Sequence, residues 1–119
     1  MKILLVEDER LVADLLARAF VDEGHLTTVV HRGQEGLECV ARNRPDAVFL
    51  DVRLPDMSGI EVLRQIRLTD AALPVVVITG HAKPEEIEKA RRLGVVEVVQ
   101  KPYILNELTR IIADLEDAS

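Results

Sequence analysis

The chain has 119 residues, of which 48% are apolar but only 3% aromatic, and it carries a net charge of −6. This length is enough for one domain with a core of its own, and that core must be aliphatic. The acidic balance argues against nucleic-acid binding by this domain itself, because that function needs a basic face. It does not exclude an acidic pocket that holds a cation.

The cysteine content and the N-terminal segment bear on the compartment. A single cysteine, Cys39, excludes an intrachain disulfide and fits a reducing environment. The first lysine is followed by only four apolar residues in a row, which is too short for a signal peptide. No stretch approaches the roughly 20 apolar residues of a membrane helix. We therefore expect a cytoplasmic domain without a membrane partner.

Apolar runs rich in β-branched residues alternate with segments of helical periodicity along the chain. The first run, residues 2–6, precedes an apolar helical stripe over residues 11–20, for which Gly24 provides the stop. The second run, residues 26–30, is followed by a helical pattern over residues 33–43.

The second half of the chain continues this alternation. A third run, residues 47–50, leads to a helix with Ser58 as its N-cap and Glu61 completing a capping box. A fourth run, residues 74–79, precedes a helix over residues 84–93, which begins with a proline and is followed by a glycine.

The fifth run, residues 95–100, precedes a last helical pattern over residues 104–115. Strict alternation of strand and helix over five units predicts a parallel sheet with helices on both faces. Strands buried on both faces are continuous apolar runs, so the mixed composition of residues 26–30 favours an edge strand. The predicted fold class is α/β, a single doubly wound (βα)5 domain.

Polar residues stand at the ends of the predicted strands, where open parallel sheets bind their ligands. The first run ends on two acids, the third on one acid, the fourth on a hydroxyl and the fifth on a lysine. The second run ends on His31 and Arg32, which an edge position places farther away. The residues that we expect to converge are Glu7, Asp8, Asp51, Thr79 and Lys101.

These residue types together favour phosphoryl-transfer chemistry. Three carboxylates in a partly dry pocket repel one another, so that one takes a proton or a cation binds. Mg²⁺ suits such a pocket because it prefers oxygen ligands and combines one or two carboxylates with phosphate oxygens. Asp51 needs no general base and can attack phosphorus to form an aspartyl phosphate. Lys101 and the Thr79 hydroxyl would then neutralise and hydrogen-bond the transferred oxygens.

Four motifs, in this order, resemble the receiver (phosphoacceptor) domains of two-component response regulators, and the chemotaxis-regulator type in particular. They are "LLVEDE", "LDVRLPDMSGIE", "VVVITGHA" and "QKPY", and the match covers the whole chain. The resemblance implies a flavodoxin-like fold with the strand order 2-1-3-4-5. It also implies that residues 1–119 form one receiver domain, with no output domain in this chain.

The resemblance also assigns roles to individual residues. Asp51 is implied as the phosphoacceptor and Lys101 as a contact of the phosphoryl group. Asp8 and Asp51 would ligate Mg²⁺ directly, and Glu7 would contribute mainly through bound water. The backbone carbonyl of Arg53 would supply another ligand.

Further features concern the switch and the site that the resemblance implies. Thr79 would move toward the phosphoryl oxygen and report phosphorylation to the surface of the fourth helix, fifth strand and fifth helix. Many receivers carry Tyr or Phe three residues before the lysine, where this chain has Val98. Glu7 stands where many members have aspartate, and Arg53 and His81 occupy positions that tune dephosphorylation in the family.

Three alternative functions are compatible with these residues to different degrees. In the first, Asp51 accepts a phosphoryl group from a histidine kinase or phosphotransfer protein, and the domain then changes its contacts with an effector, an output domain or a second copy. The second is a receiver-like docking or dimerisation module that works without phosphorylation, which Val98 favours and the intact acidic set opposes. The third, a Mg²⁺-dependent phosphatase of the haloacid dehalogenase type, is disfavoured because Arg53 stands where such enzymes have a second acid. The only catalysis expected is self-phosphorylation and slow loss of the phosphoryl group.

Overall fold

The computed structural model describes residues 1–117, except for the side chains of residues 102 and 103. Every predicted strand and helix is present, with boundaries that differ by at most three residues. Within the described chain, no helix is both long and apolar enough to cross a membrane. The strands are β1 (Lys2–Val6), β2 (Leu26–Val30), β3 (Ala47–Asp51), β4 (Val75–Thr79) and β5 (Glu97–Gln100), and the helices are α1 (Arg10–Asp22), α2 (Gly33–Arg42), α3 (Gly59–Thr69), α4 (Pro84–Leu93) and α5 (Lys101–Asp117).

The five strands form one parallel sheet in the order β2-β1-β3-β4-β5. This arrangement confirms the predicted fold class and strand order. Every residue of β3 and β4 is buried, whereas each residue of β2 is at least partly exposed. The edge position of β2 and the central position of β3 and β4 therefore follow the apolar content of their sequences.

Helices cover both faces of the sheet, and each face has its own core. On the face covered by α1 and α5, Phe20 packs against Phe49 with ring centroids 4.8 Å apart. On the face covered by α2, α3 and α4, the buried side chains are aliphatic. The aliphatic core expected from the composition is confirmed, because this ring pair is the one aromatic contact within the described residues.

The start of α3 partly differs from its prediction. The Ser58 hydroxyl accepts a hydrogen bond from the Ile60 backbone N–H at 3.1 Å, which confirms Ser58 as the N-cap. The predicted capping box is wrong, because the Glu61 carboxylate accepts hydrogen bonds from the Arg64 guanidinium instead.

Gly59 closes the loop that follows β3. Its N–H donates to the Val52 carbonyl at 2.8 Å. A Cβ atom at this position would lie only 2.0 Å from the Asp51 carbonyl oxygen and 2.8 Å from the Val52 Cα. Because both obstacles are backbone atoms, they cannot move aside as a flexible side chain would. The close approach of α3 to the end of β3 therefore requires glycine.

The same loop is also attached to α2. The Asp56 carboxylate accepts hydrogen bonds from the N–H groups of Gly33 at 2.8 Å and Gln34 at 3.0 Å. A carboxylate at this place satisfies free N–H groups at the helix start and interacts favourably with the helix dipole. The segment after Asp51 is thus fixed at both α2 and α3.

We predict that Gly59→Ala destabilises the protein by about 3 kcal/mol or more, because the added methyl group overlaps backbone atoms. Urea denaturation followed by circular dichroism measures this change. The matched control is Gly80→Ala, whose Cβ would lie 3.8 Å from the Lys101 Cδ in ordinary contact, and we expect a change below about 1 kcal/mol. Equal stability of the two variants would contradict the steric argument.

Candidate functional site

Three carboxylates meet at the carboxyl edge of the sheet. Because β1 and β3 are adjacent and in register, with Val6 opposite Leu50, the residues that follow Val6 lie beside the end of β3. Oxygen atoms of Glu7, Asp8 and Asp51 all lie within 4.8 Å of one another. The predicted convergence of these acids is present in the structure.

The two acids at the strand ends are buried, and each accepts a backbone hydrogen bond. Glu7 and Asp51 are both 0% exposed, whereas Asp8 is exposed. Asp51 Oδ1 accepts from the Arg53 N–H at 3.2 Å, and Glu7 Oε2 accepts from the Glu9 N–H at 2.9 Å. These local bonds orient both carboxylates toward the same pocket.

Lys101 brings a positive charge into this cluster. It is the first residue of α5 and directly follows β5, so the fifth strand delivers it to the same edge of the sheet. Its ammonium Nζ lies 3.0 Å from Asp51 Oδ2 and 3.2 Å from Glu7 Oε2, and it also pairs with Glu9. One ammonium group therefore bridges the ends of β1, β3 and β5.

Burial and mutual repulsion change the proton affinity of these groups. Burial raises the pKa of Glu7 to about 7; the Glu9 N–H opposes this change and the charge of Asp51 adds to it. Burial also raises the pKa of Asp51, against hydrogen bonds from Lys101 and Arg53. For Lys101, burial acts to lower the pKa, but hydrogen bonds to Glu9 and Asp51 outweigh it and raise the pKa. The lysine therefore stays charged, and its single charge faces a surplus of carboxylates.

Thr79 lies on the neighbouring strand, where Ile78 of β4 is opposite Asp51. It is 2% exposed, and its hydroxyl has no hydrogen-bond partner among the described residues. Thr79 also lines a cavity of about 230 Å³ together with His81 and Val98. The small valine, at the position where the resemblance leads us to expect a ring, thus lies beside open space next to the Thr79 side chain.

The Arg53 side chain binds a residue outside the carboxylate cluster. Its two terminal nitrogens bind the two oxygens of Glu86, at 2.8 and 2.7 Å, on the first turn of α4. The predicted role of its backbone carbonyl as a metal ligand stays a prediction.

Three contacts at the site escaped the sequence analysis. Glu9 pairs with Lys101, and the third acid of "EDE" is the signal that was available for it. Glu86 binds Arg53 and has no comparable signal in the sequence. His31 is at the end of the edge strand β2, as expected, but its Nδ1 lies 2.9 Å from the backbone carbonyl of Glu7. Because a carbonyl only accepts, His31 donates this bond and helps to position Glu7.

The donor set fits a hard divalent cation. All available ligand atoms are carboxylate oxygens, which Mg²⁺ prefers. Glu7 Oε1 is buried without a hydrogen-bond partner in the described structure, although Lys101 Nζ lies 3.1 Å away outside hydrogen-bond geometry. A cation would satisfy this oxygen and reduce the repulsion among the three acids.

Comparison with known sequences gives consistent relatives. A family model described as "Response regulator receiver domain" matches residues 3–113. Response regulator MprA of Mycobacterium leprae is 40% identical over 108 residues, which cover 91% of this chain and 47% of that protein. Regulatory protein AtoC of Escherichia coli is 36% identical over 111 residues, which cover 93% of this chain and 24% of that protein. The chain thus spans about half or less of the length of these curated relatives.

Solved structures agree with these relatives. The receiver domain of NtrX from Brucella abortus superposes with a TM-score of 0.89 at 32% identity, covering 98% of this chain and 99% of that one. The receiver domain of sensor histidine kinase PA1611 from Pseudomonas aeruginosa superposes with a TM-score of 0.86 at 28% identity, covering 96% and 95%. That structure has a magnesium ion coordinated in its active-site cleft.

A parallel sheet of order 2-1-3-4-5, with acids and a lysine gathered at its carboxyl edge, defines the receiver class of signalling domain. The match over residues 3–113 then identifies the particular family. This chain belongs to the response regulator receiver domain family of two-component systems.

We predict that, in the presence of a metal chelator, the free energy of unfolding of Glu7→Gln increases relative to that of the wild type as the pH rises from about 5 to about 8. The folded pKa of Glu7, about 7, lies above its ordinary value of 4.5. Its contribution to stability is therefore fully present below pH 4.5 and is lost as the pH rises through about 7. Urea midpoints across this range measure the effect.

The control for this pH series is Glu61→Gln. Hydrogen bonds from Arg64 and Gln65 lower the pKa of Glu61 to about 2, so its contribution is constant at neutral pH and is lost only in acid. Its stability should run parallel to that of the wild type between about pH 5 and 8. A Glu7→Gln curve that also runs parallel would contradict the raised pKa.

Proposed function

We propose that this domain is a phosphorylation-dependent switch in which Asp51 accepts a phosphoryl group from a histidine kinase or phosphotransfer protein. The observation that carries this proposal is the burial and hydrogen bonding of the Asp51 carboxylate at the end of the central strand β3. It is buried at the carboxyl edge of the sheet, and one oxygen binds Lys101 while the other binds the Arg53 N–H. This arrangement suits a positioned nucleophile beside a charge that stabilises its product.

In the transfer, a carboxylate oxygen of Asp51 attacks phosphorus, and the P–N bond to the donor histidine breaks. The electron pair of that bond stays on the imidazole nitrogen of the donor. No proton has to leave Asp51, because the ionised carboxylate is the nucleophile. The two hydrogen bonds to Asp51 fix its orientation before the donor arrives, which lowers the entropic part of the barrier.

Lys101 and Thr79 would stabilise the oxygens that the transfer adds. Lys101 Nζ is already 3.0 Å from Asp51 Oδ2, so its charge lies next to the new acyl phosphate. The Thr79 hydroxyl is buried without a partner among the described residues and is therefore free to donate to a phosphoryl oxygen. An unsatisfied buried hydroxyl is costly, and such a bond would remove that cost.

The side chains of Glu7, Asp8 and Asp51, with the backbone carbonyl of Arg53, would hold Mg²⁺. When bound, Mg²⁺ neutralises negative charge on the phosphoryl oxygens. The close set of carboxylate oxygens and the magnesium ion in the PA1611 receiver domain support this proposal. Glu7 and Asp8 serve this role through their charge and their position beside the nucleophile.

Partners and output follow from the class of relatives. Because the chain spans about half the length of MprA, the output of the whole protein is itself a proposal. We infer a histidine kinase or phosphotransfer protein upstream and an effector or output domain downstream, with dimerisation as one possible response. With a net charge of −6, direct nucleic-acid binding is not proposed for this domain. Its own catalysis is limited to self-phosphorylation and slow hydrolysis of the acyl phosphate.

A docking module that works without phosphorylation is the second candidate. The observation that favours it is the cavity of about 230 Å³ beside Val98, where the resemblance leads us to expect a switching ring. Docking alone, however, makes no demand for buried acids around a lysine. Since buried charge is costly to fold, we favour the phosphoryl switch.

We predict that acetyl phosphate adds one phosphoryl group to the protein only in the presence of Mg²⁺, and that Asp51→Asn abolishes the addition. Intact mass spectrometry measures it. Asp14→Asn makes the same chemical change on the exposed face of α1 and should be phosphorylated like the wild type. A wild-type protein that binds Mg²⁺ but gains no mass, with acetyl phosphate or with candidate kinases, would favour the docking module.

We also predict that Asp8→Asn weakens Mg²⁺ binding at least about tenfold, because it removes one full charge from the carboxylate set. Isothermal titration calorimetry measures the dissociation constant, and Asp14→Asn again serves as the control. An unchanged affinity in Asp8→Asn would mean that Asp8 is not a ligand.

A further inference from the structure

The Arg53–Glu86 ion pair joins the loop after β3 to the first turn of α4. The two guanidinium nitrogens meet the two carboxylate oxygens at 2.8 and 2.7 Å, so the contact is bidentate. The Glu86 side chain is 17% exposed and the Arg53 side chain 52%. Bidentate pairs of this kind are the strongest and most directional ion pairs at protein surfaces.

Glu86 has a second task in the same turn. One of its oxygens accepts a hydrogen bond from the Lys83 N–H at 2.9 Å. Lys83 is the N-cap residue of α4, and its own ammonium group has no acceptor to offer the free N–H groups of the helix. The guanidinium of Arg53 therefore holds the carboxylate that caps α4.

Apolar packing contributes little to holding α4 in place. Ala90 is its only buried residue. At its far end, Arg67 of α3 donates to the carbonyls of Leu93 and Gly94. Since polar contacts hold both ends, the loss of one of them should loosen the nearby turn without disrupting the core.

Arg53 also contacts the proposed phosphoacceptor. Its backbone N–H is 3.2 Å from Asp51 Oδ1, so its side chain begins beside that carboxylate. A phosphoryl group on Asp51 would add about two negative charges and three acceptor oxygens there. The guanidinium would then have two oxyanion partners, Glu86 and the phosphoryl group, and it cannot satisfy both in the same fork geometry.

We propose that Arg53 is a positioning residue that couples Asp51 to the start of α4. Its guanidinium binds Glu86 in the unmodified protein and leaves it for the phosphoryl group on Asp51, which releases the first turn of α4. The second half of this inference rests on the proposed function. The Arg53–Glu86 ion pair is present in the unmodified protein, so its role in holding the start of α4 is tested separately.

The first test measures amide hydrogen exchange of the unmodified protein by nuclear magnetic resonance. Arg53→Gln should increase exchange at the amides of Lys83, Glu86 and Ile87 by about three- to fivefold, the range expected for an exposed ion pair, and leave β3 and β4 unchanged. Glu88→Gln is the control, because it also breaks one ion pair of α4, Glu88–Arg92, and leaves the Arg53–Glu86 pair intact. Equal exchange in the two variants would show that the Arg53–Glu86 ion pair does not hold the first turn of α4.

The second test uses beryllium fluoride with Mg²⁺, which mimics a phosphoryl group on a carboxylate. Glu86→Gln should bind it about three- to fivefold more tightly than Glu88→Gln, because the competing carboxylate is gone. Arg53→Gln should bind it more weakly, and the double variant Arg53→Gln/Glu86→Gln should match Arg53→Gln, because Glu86 acts only through Arg53.

The results distinguish a failure of the competition for Arg53 from a failure of the proposed phosphoryl switch. If beryllium fluoride binds equally to Glu86→Gln and Glu88→Gln, the competition is overturned and the phosphoryl switch stands. If it binds to no variant and not to the wild type, the proposed function and the competition fall together. The exchange data still decide whether Arg53 holds the start of α4.

Discussion

The burial of Glu7 and Asp51 side by side is the constraint on which the rest of the structure depends. Two carboxylates with no exposure to solvent are costly unless a counterion reaches them. Lys101 is that counterion, and it reaches both acids only because β5 ends at the same edge of the sheet as β1 and β3. The strand order, the start of α5 and the electrostatics of the site are therefore one interdependent arrangement.

Lys101 neutralises only part of the carboxylate charge, so the site can respond to a bound cation. One ammonium group faces the carboxylates of Glu7, Asp51 and the exposed Glu9, which leaves an excess of negative charge. Burial, together with the charge of Asp51, raises the pKa of Glu7 to about 7. A site with surplus negative charge gains from a cation. In the proposed switch, the lysine and the Thr79 hydroxyl, which has no partner among the described residues, would both bind a phosphoryl group. The arrangement that limits stability is thus the one that prepares the chemistry.

The surroundings of the site divide into a rigid part and a loosely held part. Backbone contacts fix the segment after Asp51, through the close approach of Gly59 and the Asp56 cap on α2. By contrast, α4 has one buried residue and is held at its start by Glu86. The cavity beside Val98 is lined by the end of β4, by α4 and by β5, so a movement of Thr79 has room to spread toward α4 and β5. Because packed cores resist deformation, a structural change at the site spreads more easily into the loosely held α4 than into the fixed segment after Asp51.

The sequence by itself determined the elements, their parallel arrangement and the acids, hydroxyl and lysine that meet at one edge. It did so because apolar periodicity specifies strands and helices locally, and parallel strands necessarily place their carboxyl ends together. The strand order 2-1-3-4-5 came from the family resemblance and not from periodicity. Only the tertiary structure decided which long side chains meet: Arg53 with Glu86, Glu9 with Lys101, His31 with the Glu7 carbonyl, and Glu61 with Arg64 rather than Ser58. Apart from Glu61 and Arg64, which lie one turn apart on α3, these side chains reach across elements far apart in the chain. Their partners therefore depend on distances between elements that no local pattern encodes.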